Sequence, residues 1–159
     1  MSHLQQLGFS LIPNFITVEE ETNLLQKIDK KSTRITKTRN SIQRFGSNIA
    51  YKGLIVSNKI PENFQFLLDR LLEQNLLDTR PDSITINEYK KGQAINPHID
   101  NEASGKIISV LSLMHEANMI FHNKDIQLIV HLPPRSLFQI RNEIRTDWEH
   151  SLEPVTSTR

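Results

Sequence analysis

At 159 residues, with 37% hydrophobic and 23% charged side chains, the chain has the length and make-up of one globular domain with a single core and is too short for two. Its formal charge of +1 excludes a polycation that grips nucleic acid indiscriminately, though not a local basic patch. With no cysteine, disulfides, thiolate metal sites and a cysteine nucleophile are excluded, so any transition metal must be held by His, Asp or Glu. The start "MSHLQQLGFSLIPNF" lacks the charged-then-apolar order of a signal peptide, and no apolar run approaches a membrane span, which makes a cytoplasmic location without membrane contact the expectation. In "TVEEETNLLQKIDKK", Thr17 and Glu20 stand at capping-box spacing and Leu24, Leu25 and Ile28 recur on one face, predicting a helix. A second helix is expected from Pro61, with Phe64, Leu67, Leu68, Leu71 and Leu72 as its apolar stripe. Between the two helices, residues 30–53 carry Lys30, Lys31, Arg34, Lys37, Arg39, Arg44 and Lys52 beside Phe45 and Tyr51. From Ser83 the texture changes to short β-branched runs, "SITINEY", "KIISVLSL", "NMIFH", "IQLIVHL" and "SLFQIR", which in series suggest a sandwich or barrel.

His98 and Asp100 lie one residue apart in "AINPHID". On a strand or strand end, alternation points both to the same face, so that an imidazole and a carboxylate converge. His150 in "TDWEHSL" is the best placed third ligand, and two histidines with one carboxylate form the ligand set of non-haem Fe(II) oxygenases. Spacing alone leaves the alternative open, since a given histidine is more often a surface or core residue.

A longer pattern runs through residues 81–154: "PDSITINEYKKGQAINPHIDN", then "IISVLSL", "MIF" and "LPPRSLFQIRNEIRTDWEHSLEP", preceded by "QRFG" and "AY". Asn-x-Tyr, a Gly turn, His-x-Asp, a Ser-Leu strand, Leu-Pro-x-x-Ser-Leu and Arg-x-x-Trp-x-His in that order resemble the AlkB family of Fe(II)/2-oxoglutarate dioxygenases. Among its members the chain is most similar to the AlkB-type domain that hydroxylates modified wobble uridine in tRNA. The resemblance implies an α+β fold, a double-stranded β-helix (jelly roll) with N-terminal helices packed on the major sheet, in one domain spanning 1–159. It implies His98, Asp100 and His150 as iron ligands, Asn87 and Tyr89 as contacts to 2-oxoglutarate, and Arg145 near the metal face, where an ion pair with Asp147 or Glu149 is an equal alternative. His115, His122 and His131 have no counterpart in the pattern and are expected to be structural or surface residues.

The implied reaction consumes Fe(II)-bound 2-oxoglutarate and O₂, gives succinate and CO₂, and hydroxylates or oxidatively demethylates a modified base, with RNA slightly preferred over DNA. A related oxygenase acting on a protein side chain and a catalytically silent nucleic-acid-binding module are the alternatives. Residues 30–53 are expected to form a nucleotide-recognition lid, in which Lys37, Arg39 and Arg44 neutralise phosphates and Phe45 or Tyr51 stacks on a base or lines the lid's hinge. Single-stranded or looped nucleic acid is the expected partner, because the base must leave its stack, and a monomer is the expected state. The family pattern ends with two arginines for the carboxylates of 2-oxoglutarate. Arg159, nine residues after His150, stands where the first would fall. Either the chain is truncated or it uses one arginine fewer, or Arg159 is a frayed terminal residue without a role.

Overall fold

A computed structural model describes residues 2–28, 34–36, 39–46 and 59–159, with Lys27, 34–36 and 39–41 as backbone alone. The described helices are α1 (His3–Gln6), α2 (Val18–Lys27), α3 (Gln65–Glu73) and α4 (Asn142–Thr146). The strands are β1 (Phe9–Ile12), β2 (Arg34–Thr36), β3 (Arg39–Gly46), β4 (Ser83–Glu88), β5 (Ile95–His98), β6 (Ile108–Leu111), β7 (Ala117–Asn123), β8 (Ile126–Leu132), β9 (Leu137–Ile140) and β10 (Glu149–Leu152). Among the described residues no helix is long and apolar enough to cross a membrane.

Antiparallel pairing arranges the strands as β1-β9-β6, β5-β10-β7-β8 and β2-β3-β4. From β4 onward the chain repeatedly changes sheet, with β5, β7, β8 and β10 in one and β6 and β9 in another, which is the winding of a jelly roll. Beyond β10 the chain runs back beside the end of β4. Val155 and residues 92–93 exchange backbone hydrogen bonds of 2.8 and 3.0 Å, and Tyr89 and Arg159 exchange two more of 2.8 and 2.9 Å.

Strand β9, central in sheet β1-β9-β6, is buried on both faces and reads Leu-Phe-Gln-Ile with no exposed position. On one face Phe9, Phe138 and Ile140 share a cluster with Phe121, Val130 and Leu132 of the opposing sheet and with Trp148. On the other, Leu137 joins Leu24 of α2, Leu68 and Leu71 of α3, Phe64, and the half-buried Phe45, Ile84 and Ile86. Fully burying aliphatic and aromatic side chains of this kind contributes about 1.5–3 kcal/mol each. The one polar residue of β9, Gln139, donates to the Leu76 carbonyl at 3.1 Å and to Ser109 Oγ at 2.8 Å. A turn fixes the entry to β1: Gly8 has φ 103°, and a Cβ there would lie 2.2 Å from the Arg141 carbonyl oxygen.

Thr17 caps α2 as its spacing predicts, accepting from Glu20 N at 3.1 Å while Glu20 accepts from Thr17 N at 2.8 Å. The second helix departs from expectation at its start. Pro61 precedes a single 3-10 turn, Glu62–Phe64, and α3 begins only at Gln65. That tighter first turn places Phe64 in the core, 4% exposed.

Glu20 also meets Arg70 of α3 at 2.5 Å, and Arg70 stands over the Phe15 and Phe66 rings. The hydrogen bond from Arg70, opposed by burial and aided by Thr17, lowers the Glu20 carboxyl to about 2 from 4.5. A depressed carboxyl stabilises the fold above its unfolded value and loses that contribution as pH falls toward its folded value. Glu20→Gln is expected to destabilise by about 1 kcal/mol at neutral pH. The gap in melting temperature to the parent should narrow below pH 4.5 and close near pH 2. A gap constant across that range would show that the charge of Glu20 contributes nothing.

Candidate metal and cosubstrate site

His98 is the last residue of β5, and the ladder to β10 places it directly opposite His150. Their rings lie 4.4 Å apart between centroids. Asp100 is not on the strand, so strand alternation is not what aligns it. The chain leaves β5 after His98 and turns into a 3-10 turn, Glu102–Ser104, capped by the Asn101 side chain accepting from Ala103 N at 2.9 Å. This turn swings the Asp100 carboxylate between the two imidazoles, with Oδ1 3.6 Å from His98 Nε2 and Oδ2 3.5 Å from His150 Nε2. One ligand atom from each of the three residues falls within 4.8 Å of the others. Among the described residues this is the only such group.

His98 Nδ1 lies 2.8 Å from the Asn96 carbonyl, which places its proton on Nδ1 and leaves the Nε2 lone pair able to ligate a metal. The hydrogen bond with Asp100 raises the His98 pKa against burial. His150, its side chain 12% exposed, goes the other way: burial lowers it to about 4. For Asp100, burial pushes upward but is outweighed by the His98 hydrogen bond and the charges of His150, His98 and Arg145, so the carboxyl sits below its ordinary value. Two imidazole nitrogens and an ionised carboxylate converging from one side fit ferrous iron with coordination positions left over.

The cosubstrate residues of the sequence reading lie on the neighbouring sheet. Ile84 and Ile86 of β4 pack toward the helices, so Thr85 and Asn87 point to the opposite face. Tyr89 follows in the same phase and is bridged by backbone hydrogen bonds to Arg159, which therefore presents its side chain on that face too. Arg159 is not frayed. One guanidinium nitrogen, Nη2, donates to Ser112 Oγ, and Nη1 is buried without a partner. Burial lowers the Arg159 pKa, with the Tyr89 phenol acting against it. A guanidinium whose buried Nη1 has no partner can accept a carboxylate there.

The expected lid is described in part. Lys37 and Tyr51 lie outside the described residues, as does the side chain of Arg39. Arg44 is exposed and pairs with Thr85 across β3 and β4, which puts it on the face shared by Asn87. Phe45 pairs with Ile84 and faces the other way, its ring 6.1 Å from Phe64 among the residues beneath α3.

Sequence reasoning passed over Ser112, which is 1% exposed and holds Arg159, and Val110, whose neighbour across the ladder is the buried Phe138 while it remains 36% exposed. Period-two alternation through "ISVLS" carried that signal. Arg145 makes neither of the ion pairs considered for it. It donates instead to the Asp100 carbonyl at 3.0 Å and the Asn101 carbonyl at 2.7 Å. His122 lies 2.7 Å from Ser151 Oγ, and His131 pairs at the surface with Glu116 at 3.5 Å.

Residues 50–159 match the 2OG-Fe(II) oxygenase superfamily. The chain is 32% identical over 155 residues to the uncharacterized protein L905 of Acanthamoeba polyphaga mimivirus, an alignment covering 92% of this chain and 73% of that one. It is 31% identical over 163 residues to the mouse tRNA (carboxymethyluridine(34)-5-O)-methyltransferase ALKBH8, covering 92% of this chain but only 24% of the longer relative. Among solved structures, OsALKBH1 superposes with a TM-score of 0.72 at 15% identity, over 96% of this chain and 86% of that one, a likeness of fold. Three metal-capable side chains meeting at the end of an antiparallel jelly roll and a superfamily match that includes all three of them agree: the chain belongs to the 2OG-Fe(II) oxygenase superfamily.

Proposed function

We propose that the protein is an Fe(II)- and 2-oxoglutarate-dependent dioxygenase that hydroxylates or oxidatively demethylates a modified base in nucleic acid, with RNA or tRNA slightly preferred over DNA. The observation that carries this reading is the convergence of His98, Asp100 and His150 beside a face that holds Asn87, Tyr89 and the half-buried Arg159. Iron, 2-oxoglutarate and O₂ bound together supply oxidative decarboxylation to succinate and CO₂ with delivery of one oxygen atom to a substrate C–H bond. The chain's part is positional. The Asn96 carbonyl orients His98, burial keeps His150 neutral and able to ligate, and Arg159, steadied by Ser112, holds the distal carboxylate with the Tyr89 phenol close by. In this reading α2 and α3 brace the outer face formed by β9 and β4, as their shared cluster with Leu137 and Ile84 supports.

The choice of nucleic acid draws support from the mouse relative, whose printed name is that of a tRNA-modifying enzyme, and from the basic run in residues 30–53, read as a recognition lid. Arg44, exposed on the cosubstrate face, is the described member of that run best placed for a phosphate. With Phe45 turned toward Phe64, base stacking falls to Tyr51. Incubating the protein with Fe(II), 2-oxoglutarate and a panel of methylated and wobble-modified oligonucleotides, followed by mass spectrometry of the nucleosides, tests the reading directly. No change in any nucleoside, with succinate still formed, would remove nucleic acid as substrate. Neutralising Lys37, Arg39 and Arg44 together is expected to weaken oligonucleotide binding and reduce the slope of log K against log salt by about 2, while uncoupled succinate formation persists. An unchanged slope would move the phosphate contacts elsewhere.

A further inference from the structure

We infer that Arg145 is a positioning residue for the metal centre, clamping the backbone of the turn that carries Asp100 so that the carboxylate is presented between His98 and His150. The inference rests on the reading of these three residues as metal ligands. Asp100 needs such a device because it stands beyond the end of β5, where no sheet ladder fixes the backbone. Strand pairing holds His98 and His150 against each other; it does not hold the carboxylate.

Arg145 comes from α4, five residues before His150, and is 4% exposed. One arm of its guanidinium, Nη1, donates to the Asp100 carbonyl at 3.0 Å and the other, Nη2, to the Asn101 carbonyl at 2.7 Å. A planar fork bonded to two successive carbonyls fixes the orientation of the peptide between them, which a point charge on a flexible stem does not. The arrangement is costly by itself. Nε is buried without a partner, and among the described residues Arg145 belongs to none of the ion pairs. A buried cation bonded directly only to carbonyls loses solvation without the return of a direct ion pair, and such a group persists where it serves the site it touches. Its location favours that explanation, since α4 leads directly into β10 and so ties the segment bearing His150 to the one bearing Asp100.

The test uses Co(II) as the probe, added to the full chain without 2-oxoglutarate or nucleic acid, and reads affinity and the visible ligand-field spectrum. Arg145→Lys keeps the charge and most of the volume but loses the fork. It is expected to melt near the parent, to bind Co(II) about 10–100-fold more weakly, and to show a changed spectrum. Arg145→Gln should show the same changes. Titrated into the millimolar range of Co(II), where variants lacking one ligand still report binding, the loss from Arg145→Lys is present in a His98→Ala background and absent in an Asp100→Asn background if Arg145 acts through Asp100, whereas general loosening of the fold lowers affinity equally in both. Parental Co(II) affinity and spectrum in Arg145→Lys, or an equal loss in the two backgrounds, overturns the inference. Failure of the parent chain itself to bind Co(II) overturns the metal-site reading along with it.

Discussion

His98→Ala and Asp100→Ala are each expected to abolish succinate formation while leaving the fold intact. Each removes one of three ligand atoms that lie within 4.8 Å of one another, and the two remaining donors no longer form the facial set. Neither side chain belongs to the hydrophobic clusters, and both are about one-third exposed, at 35% and 31%, so truncation opens no core cavity. Far-UV circular dichroism should therefore match the parent and thermal melting should shift little, while Fe(II) binding falls below detection at micromolar metal. Parental succinate production by either variant would sink the assignment of that residue. Asp100→Ala also relieves an electrostatic constraint. The carboxylate is the largest influence holding the His98 pKa up, so this histidine should titrate lower in that variant by NMR, a change independent of turnover.

Arg159→Ala carries the second large effect. Its guanidinium is anchored on one side by Ser112 and offers Nη1 unused, so a bound carboxylate would gain charge-assisted hydrogen bonds in a desolvated setting. Hydrogen bonds to charged groups contribute about 1.5–3 kcal/mol, which corresponds to a 10- to 100-fold loss of 2-oxoglutarate affinity on truncation. Calorimetry with Mn(II) in place of iron measures that loss without turnover. The KM for 2-oxoglutarate should rise by a similar factor with kcat less affected, since the distal carboxylate is held alike in ground and transition states. Arg159→Lys should remain impaired, because an ammonium cannot donate to Ser112 and to a carboxylate in the same fixed plane. Affinity for 2-oxoglutarate that Arg159→Ala leaves unchanged would show that the cosubstrate is held by other residues.

Much of this site was legible before any coordinates because its chemistry depends on residue type and order. The runs "SITINEY", "IQLIVHL" and "SLFQIR" contain strands β4, β8 and β9 because β-branched and aromatic residues packed on sheet faces leave a local imprint. The Thr17–Glu20 capping box was equally local. Strand β1 in "FSLI" and the pairing of β3 with β4 were not, since the first is a short apolar run without alternation and the second lies in a basic segment whose charge suggests a loop.

Residue order by itself determined that a His-x-Asp pair and a distant histidine were available, that thiolates were not, and that the whole resembled one oxygenase family. Only the tertiary structure decided which face each group occupies. Phe45, an apparent stacking residue, belongs to the layer under α3, and Asp100 reaches His150 through a capped turn. Arg145 binds backbone in preference to the acids beside it in sequence, and Arg159 becomes a buried donor once its backbone bridges to Tyr89. Each of these depends on contacts between segments tens of residues apart, where burial and hydrogen-bond satisfaction override the local pattern. No window of sequence contains both partners.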